Sequence, residues 1–401
     1  MIYKCEICNQ KNLQTVLRMG DHPLCDDLIK INNKKKNTNY KIEIIFCKNC
    51  IIAYQKYQVK KKILFPKNYH YRSRLTEDVI KGMKNLVSKT KKICSTLKNK
   101  VVLDIGCNDG TLLDIFKSYQ AITIGIEPTD AAKEAKAKGH SIYQSYIDKK
   151  ISKKIRKKHT NIDIVVFTNV FAHIENLKNL IKNLRQIISK DTIIVIENHY
   201  LGSIIKKKQF DTFYHEHPRT YSLKSFVEIS KLLKMNLFKY EFPDRYGGNI
   251  RVMMSKRFKN RLNFSKILQK EELFFLKLKS LNKSILTWKN KKRKLIKNLV
   301  KKYGPLPAKA FPGRAAILLK LLKLDHNSIS TIFEQNNSPK IGHYAPGTKI
   351  PILSDEKLKN INPNIPIVNF AWHIKNEIKK YLIKNNIRNK IVDILENKDF
   401  R

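Results

Sequence analysis

The chain has 401 residues, with 81 Lys and Arg against 33 Asp and Glu, giving a formal net charge of +48. Its hydrophobic content of 42% suffices for buried cores and excludes a wholly disordered basic tail. No apolar run nears the roughly 20 residues of a membrane span; the longest, Ala315–Leu324, is broken by Lys320 and Lys323. The first 65 residues read as short strands and turns. Residues 75–97 place Leu75, Val79, Ile80, Met83, Leu86 and Val87 at helical spacing. From Val101 onward, short β-branched runs (Val101–Ile105, Thr123–Ile126, Ile162–Thr168, Thr192–Glu197) alternate with helical stretches such as Gly110–Tyr119 and Asp130–Lys138. This alternation predicts βαβ units and a parallel sheet covered on both faces. Residues 255–303 are Lys-rich, with Phe264, Ile267, Leu268, Phe274, Phe275 and Leu278 at helical intervals, and predict one or two amphipathic helices. A second α/β pattern follows: helix Arg314–Leu322, strand Ser328–Glu334, strand Ile367–Ala371 and helix His373–Lys384.

The fold class expected is therefore α/β: a Rossmann-like core, a small N-terminal module and a second C-terminal α/β domain. The boundaries read are 1–65, 66–254, a helical linker at 255–303, and 304–401. The start of the chain shows no apolar stretch before a small-residue cleavage site. An odd count of seven cysteines argues against a disulfide framework, and a cytoplasmic, membrane-free protein is expected. The oligomeric state stays open, with a monomer preferred. The lysines are spread along the whole chain, so the charge is assigned to composition rather than to a nucleic-acid footprint.

Three constellations carry chemistry. Cys5-x-x-Cys8 and Cys47-x-x-Cys50 form two knuckles able to set four thiolates around a structural Zn2+. Cys25, Cys94 and Cys107 have no such partner and read as small apolar residues. Next, a strand ends in Asp104 and runs into Gly106-Cys107-Asn108-Asp109-Gly110, while Glu127 ends the following strand. The GxGxxG spacing of a dinucleotide fold is absent. This variant resembles motif I of class I S-adenosylmethionine (SAM) methyltransferases, and the strand-end segment Phe167-Thr168-Asn169-Val170-Phe171-Ala172-His173 strengthens it. Asp104, Gly106, Asn108, Asp109, Glu127, Asn169 and His173 are the expected cofactor residues. The third is Gln209-Phe210-Asp211-Thr212-Phe213-Tyr214-His215-Glu216-His217. Histidine titrates near neutrality, so His215 or His217 is suited to take a proton from carbon, with Glu216 or a tyrosine assisting.

With these motifs in order, the chain resembles the sugar C-methyltransferases that act on nucleotide-linked deoxy-4-ketohexoses. The likeness also takes in Phe65-Pro66-Lys67-Asn68-Tyr69-His70-Tyr71, Gly247-Gly248-Asn249-Ile250-Arg251 and Pro346-Gly347-Thr348-Lys349-Ile350-Pro351-Ile352. The resemblance implies a zinc module, a SAM-binding core and a C-terminal domain that helps hold the nucleotide. It implies His217 as the base that removes the C-3 proton, with Glu216 and Tyr214 positioning groups and stabilising the enolate. Tyr71, rather than Tyr69, is expected to close over the sugar, and His173 to sit near the transferring methyl. The chain departs from the family pattern at Pro218-Arg219-Thr220, where Arg219 is expected to face a differently charged substrate. It departs again around Gly313-Arg314-Ala315 and at Phe333-Glu334-Gln335-Asn336-Asn337. Two other readings compete: an RNA methyltransferase, suited by the charge, and a catalytically silent scaffold. The first lacks a stacking platform; the second should have lost the Asp104 loop or His217.

Overall fold

A computed structural model describes residues 1–159, 161–245 and 247–400. Three sheets organise them. The N-terminal strands are β1 (Gln14–Pro23), β2 (Ile29–Lys30), β3 (Asn39–Cys47) and β4 (Ile52–Gln55). The central sheet uses β5 (Val101–Ile105), β6 (Ile122–Ile126), β7 (Ser141–Tyr143), β8 (Ile164–Thr168) and β9 (Ile193–His199). After β10 (Arg219–Thr220), this sheet is completed by β11 (Asn236–Glu241) and β12 (Asn249–Ser255). Its order is β11-β12-β9-β8-β5-β6-β7, parallel except for β12, which runs antiparallel to both neighbours. β5 and β8 are nearly continuous apolar runs because helices cover both faces.

The C-terminal sheet contains β13 (Leu306–Lys309), β14 (Ile329–Glu334), β15 (His343–Tyr344), β16 (Pro351–Ser354), β17 (Ile367–Asn369) and β18 (Ile391–Asp393). The order β18-β17-β13-β14-β16 is parallel, and β13 lies where the winding reverses. Doubly wound sheets place ligands at the strand ends beside such a reversal.

The three parts exchange strands. β10, directly after the His217 motif, pairs with β4 of the N-terminal sheet. β2 leaves the N-terminal segment and adds to β15 at the edge of the C-terminal sheet. The Lys-rich stretch folds as helices Ser265–Glu272 and Phe274–Tyr303. The second helix is more than a connection: Trp288 is fully buried and donates to the Ile394 carbonyl at 2.9 Å. Buried Lys292 pairs with Asp399 at 3.0 Å. No helix of the described residues is long and apolar enough to cross a membrane.

Candidate active site

The zinc module comes first because the rest leans on it. Cys47 closes β3 and Cys50 precedes β4, so one tight turn presents both thiols. The Cys5 backbone N–H takes the Gln10 carbonyl at 2.8 Å, folding the other knuckle. The Sγ atoms of Cys5, Cys8, Cys47 and Cys50 all lie within 4.8 Å of one another. Hydrogen bonds from Cys47 and Cys50 pull the Cys5 thiol down to about 2, while Cys47 is pushed up to about 12 and Cys50 further still. Four crowded thiols cannot all ionise without a cation between them. An all-sulfur, closed set of this kind fits a structural Zn2+.

The second constellation lies along the carboxyl ends of the central sheet, in a cleft of about 1620 Å³. Pockets for one small ligand are commonly about 300–1,000 Å³, so this space admits two. Asp104, Gly106, Asn108, Glu127, Asn169 and His173 all line it. Gly106 has φ +78°, and a Cβ there would lie 2.6 Å from Val170 Cγ2, so any side chain would close the loop's approach. Glu127 accepts from the Asn108 backbone N–H at 3.0 Å and from Thr129 at 2.7 Å. Burial, and then the Glu127 charge, push Asp104 up to about 8, and its Oδ1 is buried with no hydrogen-bond partner among the described residues. A buried carboxyl group with one oxygen unpartnered, beside the Glu127 carboxyl, suits a ligand that brings hydroxyl and cationic donors, and SAM has both.

Asp109 is placed elsewhere. It does not line the cleft, and its carboxylate accepts from Ser73 Oγ at 2.7 Å, Thr111 Oγ1 at 2.6 Å and the Arg74 N–H at 3.1 Å. Asn108 accepts from the Ser73 N–H at 3.0 Å. Together they pin the strap carrying Tyr69 and Tyr71 across the mouth of the cleft.

Sequence reasoning missed a buried network behind Asn169. Glu197, near the end of β9, pairs with Arg245 at 3.0 Å and accepts from Arg251 Nε at 2.7 Å and Asn249 at 3.1 Å. Arg245 donates to the Val79 carbonyl (3.3 Å) and Arg251 to Asn85 (2.9 Å). Both anchor helix Glu77–Cys94, whose first turns line the cleft. Gly82 makes this possible, since a Cβ there would sit 2.0 Å from Arg245 Nη1. A glycine inside an amphipathic helix was the signal to follow. Gly82→Ala gains about 1 kcal/mol of helix propensity but displaces a buried, paired guanidinium, whose loss costs about 3–5 kcal/mol. The variant is expected to melt lower and to bind SAM more weakly, measured by thermal unfolding and calorimetry. Melting above the wild type would show that Arg245 is not held there.

The third constellation faces the same cleft. His217 is 5% exposed, and its Nδ1 lies 2.9 Å from the Thr212 carbonyl. That contact puts the proton on Nδ1 and leaves Nε2 as an acceptor. Burial, with the nearby Arg314 charge, lowers the imidazole to about 4. The rings of Tyr214, His173 and His199 lie 4.3, 5.0 and 5.1 Å away. Buried Glu216 accepts from the Tyr69 hydroxyl at 3.0 Å and is raised well above the usual carboxylate range by burial and the Asp26 charge. Tyr69, rather than Tyr71, reaches this carboxylate; Tyr71 lines the cleft but is 41% exposed. His215 is excluded from the lining, with Nε2 held at 3.0 Å by the Tyr40 carbonyl. His199 and Arg314 line the cleft too.

Arg219 requires a correction. The expectation that it faces the substrate fails: it is 1% exposed and does not line the cleft. It pairs with Glu6, between the first two cysteines, and donates to the carbonyls of Ile174 and Glu175. It joins the zinc knuckle to the loop behind His173.

Three family profiles match in succession: "Putative zinc binding domain" over residues 5–65, "Methyltransferase domain" over 71–232, and "C-methyltransferase C-terminal domain" over 244–390. With the sheet order, the Asp104 cleft and the four-thiol cluster, they make the chain a SAM-dependent C-methyltransferase with an N-terminal zinc-binding domain. It is similar to the C-methyltransferase NovU of Streptomyces niveus, at 22% identity over 391 residues, covering 94% of this chain and 91% of that protein. Among solved structures it is similar to a Pyrococcus horikoshii OT3 protein (14% identity, TM-score 0.37, 49% of this chain and 99% of that one). Another is the magnesium protoporphyrin IX methyltransferase of Synechocystis PCC 6803 (14% identity, TM-score 0.34, 44% and 82%).

Proposed function

We propose that the enzyme methylates carbon C-3 of a nucleotide-linked 4-keto deoxysugar. The observation that carries this reading is the state of His217: neutral, oriented through Nδ1, and facing a cleft large enough for cofactor and substrate together. A ketone acidifies the neighbouring C–H. His217 Nε2 takes that proton, the C–H electron pair becomes the C=C bond, and the carbonyl pair moves onto oxygen as an enolate. SAM, when bound, supplies a methyl group on a sulfonium that leaves as a neutral thioether. Asp104, Glu127 and Asn169 hold that cofactor at the sheet edge, and His173 orders the space between it and His217. Glu216, its carboxyl pushed up by burial, and Tyr214 offer hydrogen-bonding groups to the sugar.

The C-terminal domain holds the nucleotide. Lys309 and Glu334, at the ends of β13 and β14, line the same cleft beside the winding reversal where such sheets bind ligands. None of the seven cysteines is joined in a disulfide, and the reduced state this requires is the one a cytoplasm maintains. Incubating the enzyme and SAM with a series of nucleotide-linked keto sugars is expected to give a gain of one methyl by mass spectrometry. Methylation of RNA in preference to every such sugar would overturn the reading.

A further inference from the structure

We propose that Arg314 is a second catalytic group: its guanidinium binds the ketone oxygen next to His217 and stabilises the charge that appears there on enolisation. The proposal rests on the keto-sugar reading above. Arg314 belongs to the C-terminal domain, one residue before helix Ala315–Leu322, yet its side chain reaches into the His217 motif. Nε lies 3.4 Å from Asp211 Oδ2, and Nη1 donates to Thr212 Oγ1 at 3.2 Å and Gln209 Oε1 at 3.5 Å. Asp211 is itself held by the Trp372 indole N–H at 2.9 Å, and the guanidinium lies over that ring, 5.1 Å from its centre.

These contacts use Nε and Nη1. Nη2 is buried and has no hydrogen-bond partner among the described residues, in a side chain 8% exposed that lines the cleft. An unpaired guanidinium nitrogen in so closed a place is costly, unless a ligand oxygen completes it. Thr212 sets its position against the base. The carbonyl of Thr212 faces His217 Nδ1 while its hydroxyl accepts from Arg314, so one residue spaces the proton acceptor and the cation.

The chemistry requires such a group. Neutral ketone and neutral imidazole become enolate and imidazolium; the proton moves from carbon to Nε2 and the negative charge settles on oxygen. The rings nearest His217 are histidines and a tyrosine, none of them cationic at neutral pH. Two other cations that line the cleft are engaged: Lys309 pairs with Asp355 at 2.7 Å and Lys340 donates to the Phe311 carbonyl at 2.6 Å. A preorganised cation at the developing oxyanion is worth about 100- to 1,000-fold in rate.

The test is exchange of the sugar's acidic C–H for deuterium in D2O, without SAM, using a keto sugar that the wild type methylates. Arg314→Gln strands the buried Asp211 carboxylate, so Asp211→Asn/Arg314→Gln is made as well, removing both charges together. Both are expected to lose exchange by about 100-fold or more while SAM affinity stays within twofold, with Arg314→Lys recovering part of the rate. Wild-type exchange rates in the double variant would overturn the role of Arg314 alone. A defect confined to KM with kcat intact would also overturn it, making Arg314 a binding group. A wild type that exchanges with no keto sugar would overturn the parent reading too.

Discussion

His217→Gln is expected to abolish methyl transfer, by at least the 100-fold that general bases typically contribute, while SAM binding is retained. Glutamine keeps a donor for the Thr212 carbonyl but has no basic lone pair, so the variant separates holding from proton transfer. SAM affinity is expected not to move, because the residues proposed to hold the cofactor, Asp104, Glu127 and Asn169, lie at the carboxyl ends of β5, β6 and β8. Unchanged turnover would sink the assignment of His217 as base.

The pH profile follows from the same burial. The folded imidazole is lowered from 6.5 to about 4, so the base stays competent down to that value, and kcat/KM is expected to fall only as pH drops through about 4. Stability has a different window. Between 6.5 and about 4 the unfolded chain binds a proton at this histidine that the folded chain refuses, so stability rises with pH. Acidification across that window costs about 3 kcal/mol from His217 alone. Buried His22, also lowered to about 4, acts in the same direction. Buried Asp104, raised to about 8, acts the other way, so the change in melting point between pH 7 and pH 5 is compared in the wild type and in His217→Gln. A variant that loses as much on acidification would contradict the sign.

Stripping the four-thiol cluster is expected to silence an active site that none of its ligands touches. Wild-type protein should contain about one zinc per chain, as one closed four-thiolate site requires. Cys5→Ser should lower that content, and chelation should abolish turnover as the first knuckle loosens. The route is physical: Glu6 sits inside that knuckle, holds Arg219, and also accepts from the Leu177 N–H at 3.1 Å. Arg219 then lies in β10, two residues past His217, and braces the carbonyls of Ile174 and Glu175 beyond His173. Arg219→Ala, which leaves Glu6 without its partner, is expected to cost about 3–5 kcal/mol with the zinc still bound. Metal analysis and melting together separate the two lesions. Full activity in metal-free protein would show that the strut carries no load.

Strands β5, β6, β8 and β9 were legible because they are largely buried and read as apolar runs, down to Val101–Ile105, which is β5. Half-buried β7 and the β11–β12 pair, with β12 antiparallel, were not. The four cysteines and the Asp104 loop were legible because each packs its chemistry into a few adjacent positions. Contacts assembled across the fold were not. Arg219 follows the catalytic motif in the chain and looks like part of it, but β10 turns it toward the zinc knuckle. Arg314 and Glu197 lie far along the chain from the groups they serve, and pattern within a segment carries no record of such pairings. Tyr69 and Tyr71 both line the cleft, and which of them reaches Glu216 rests on a contact across the fold that a local pattern does not record.

The strand exchange has a consequence for biogenesis. β2 (Ile29–Lys30) waits for β15 (His343–Tyr344), which leaves the ribosome more than three hundred residues later. The segment around β2 also carries Asp26, which lines the cleft. Contacts of such long range slow folding and leave intermediates exposed. A nascent chain would thus hold a finished cofactor-binding sheet well before its substrate side closed, and a truncated one would leave β2 as an unpaired edge, prone to association.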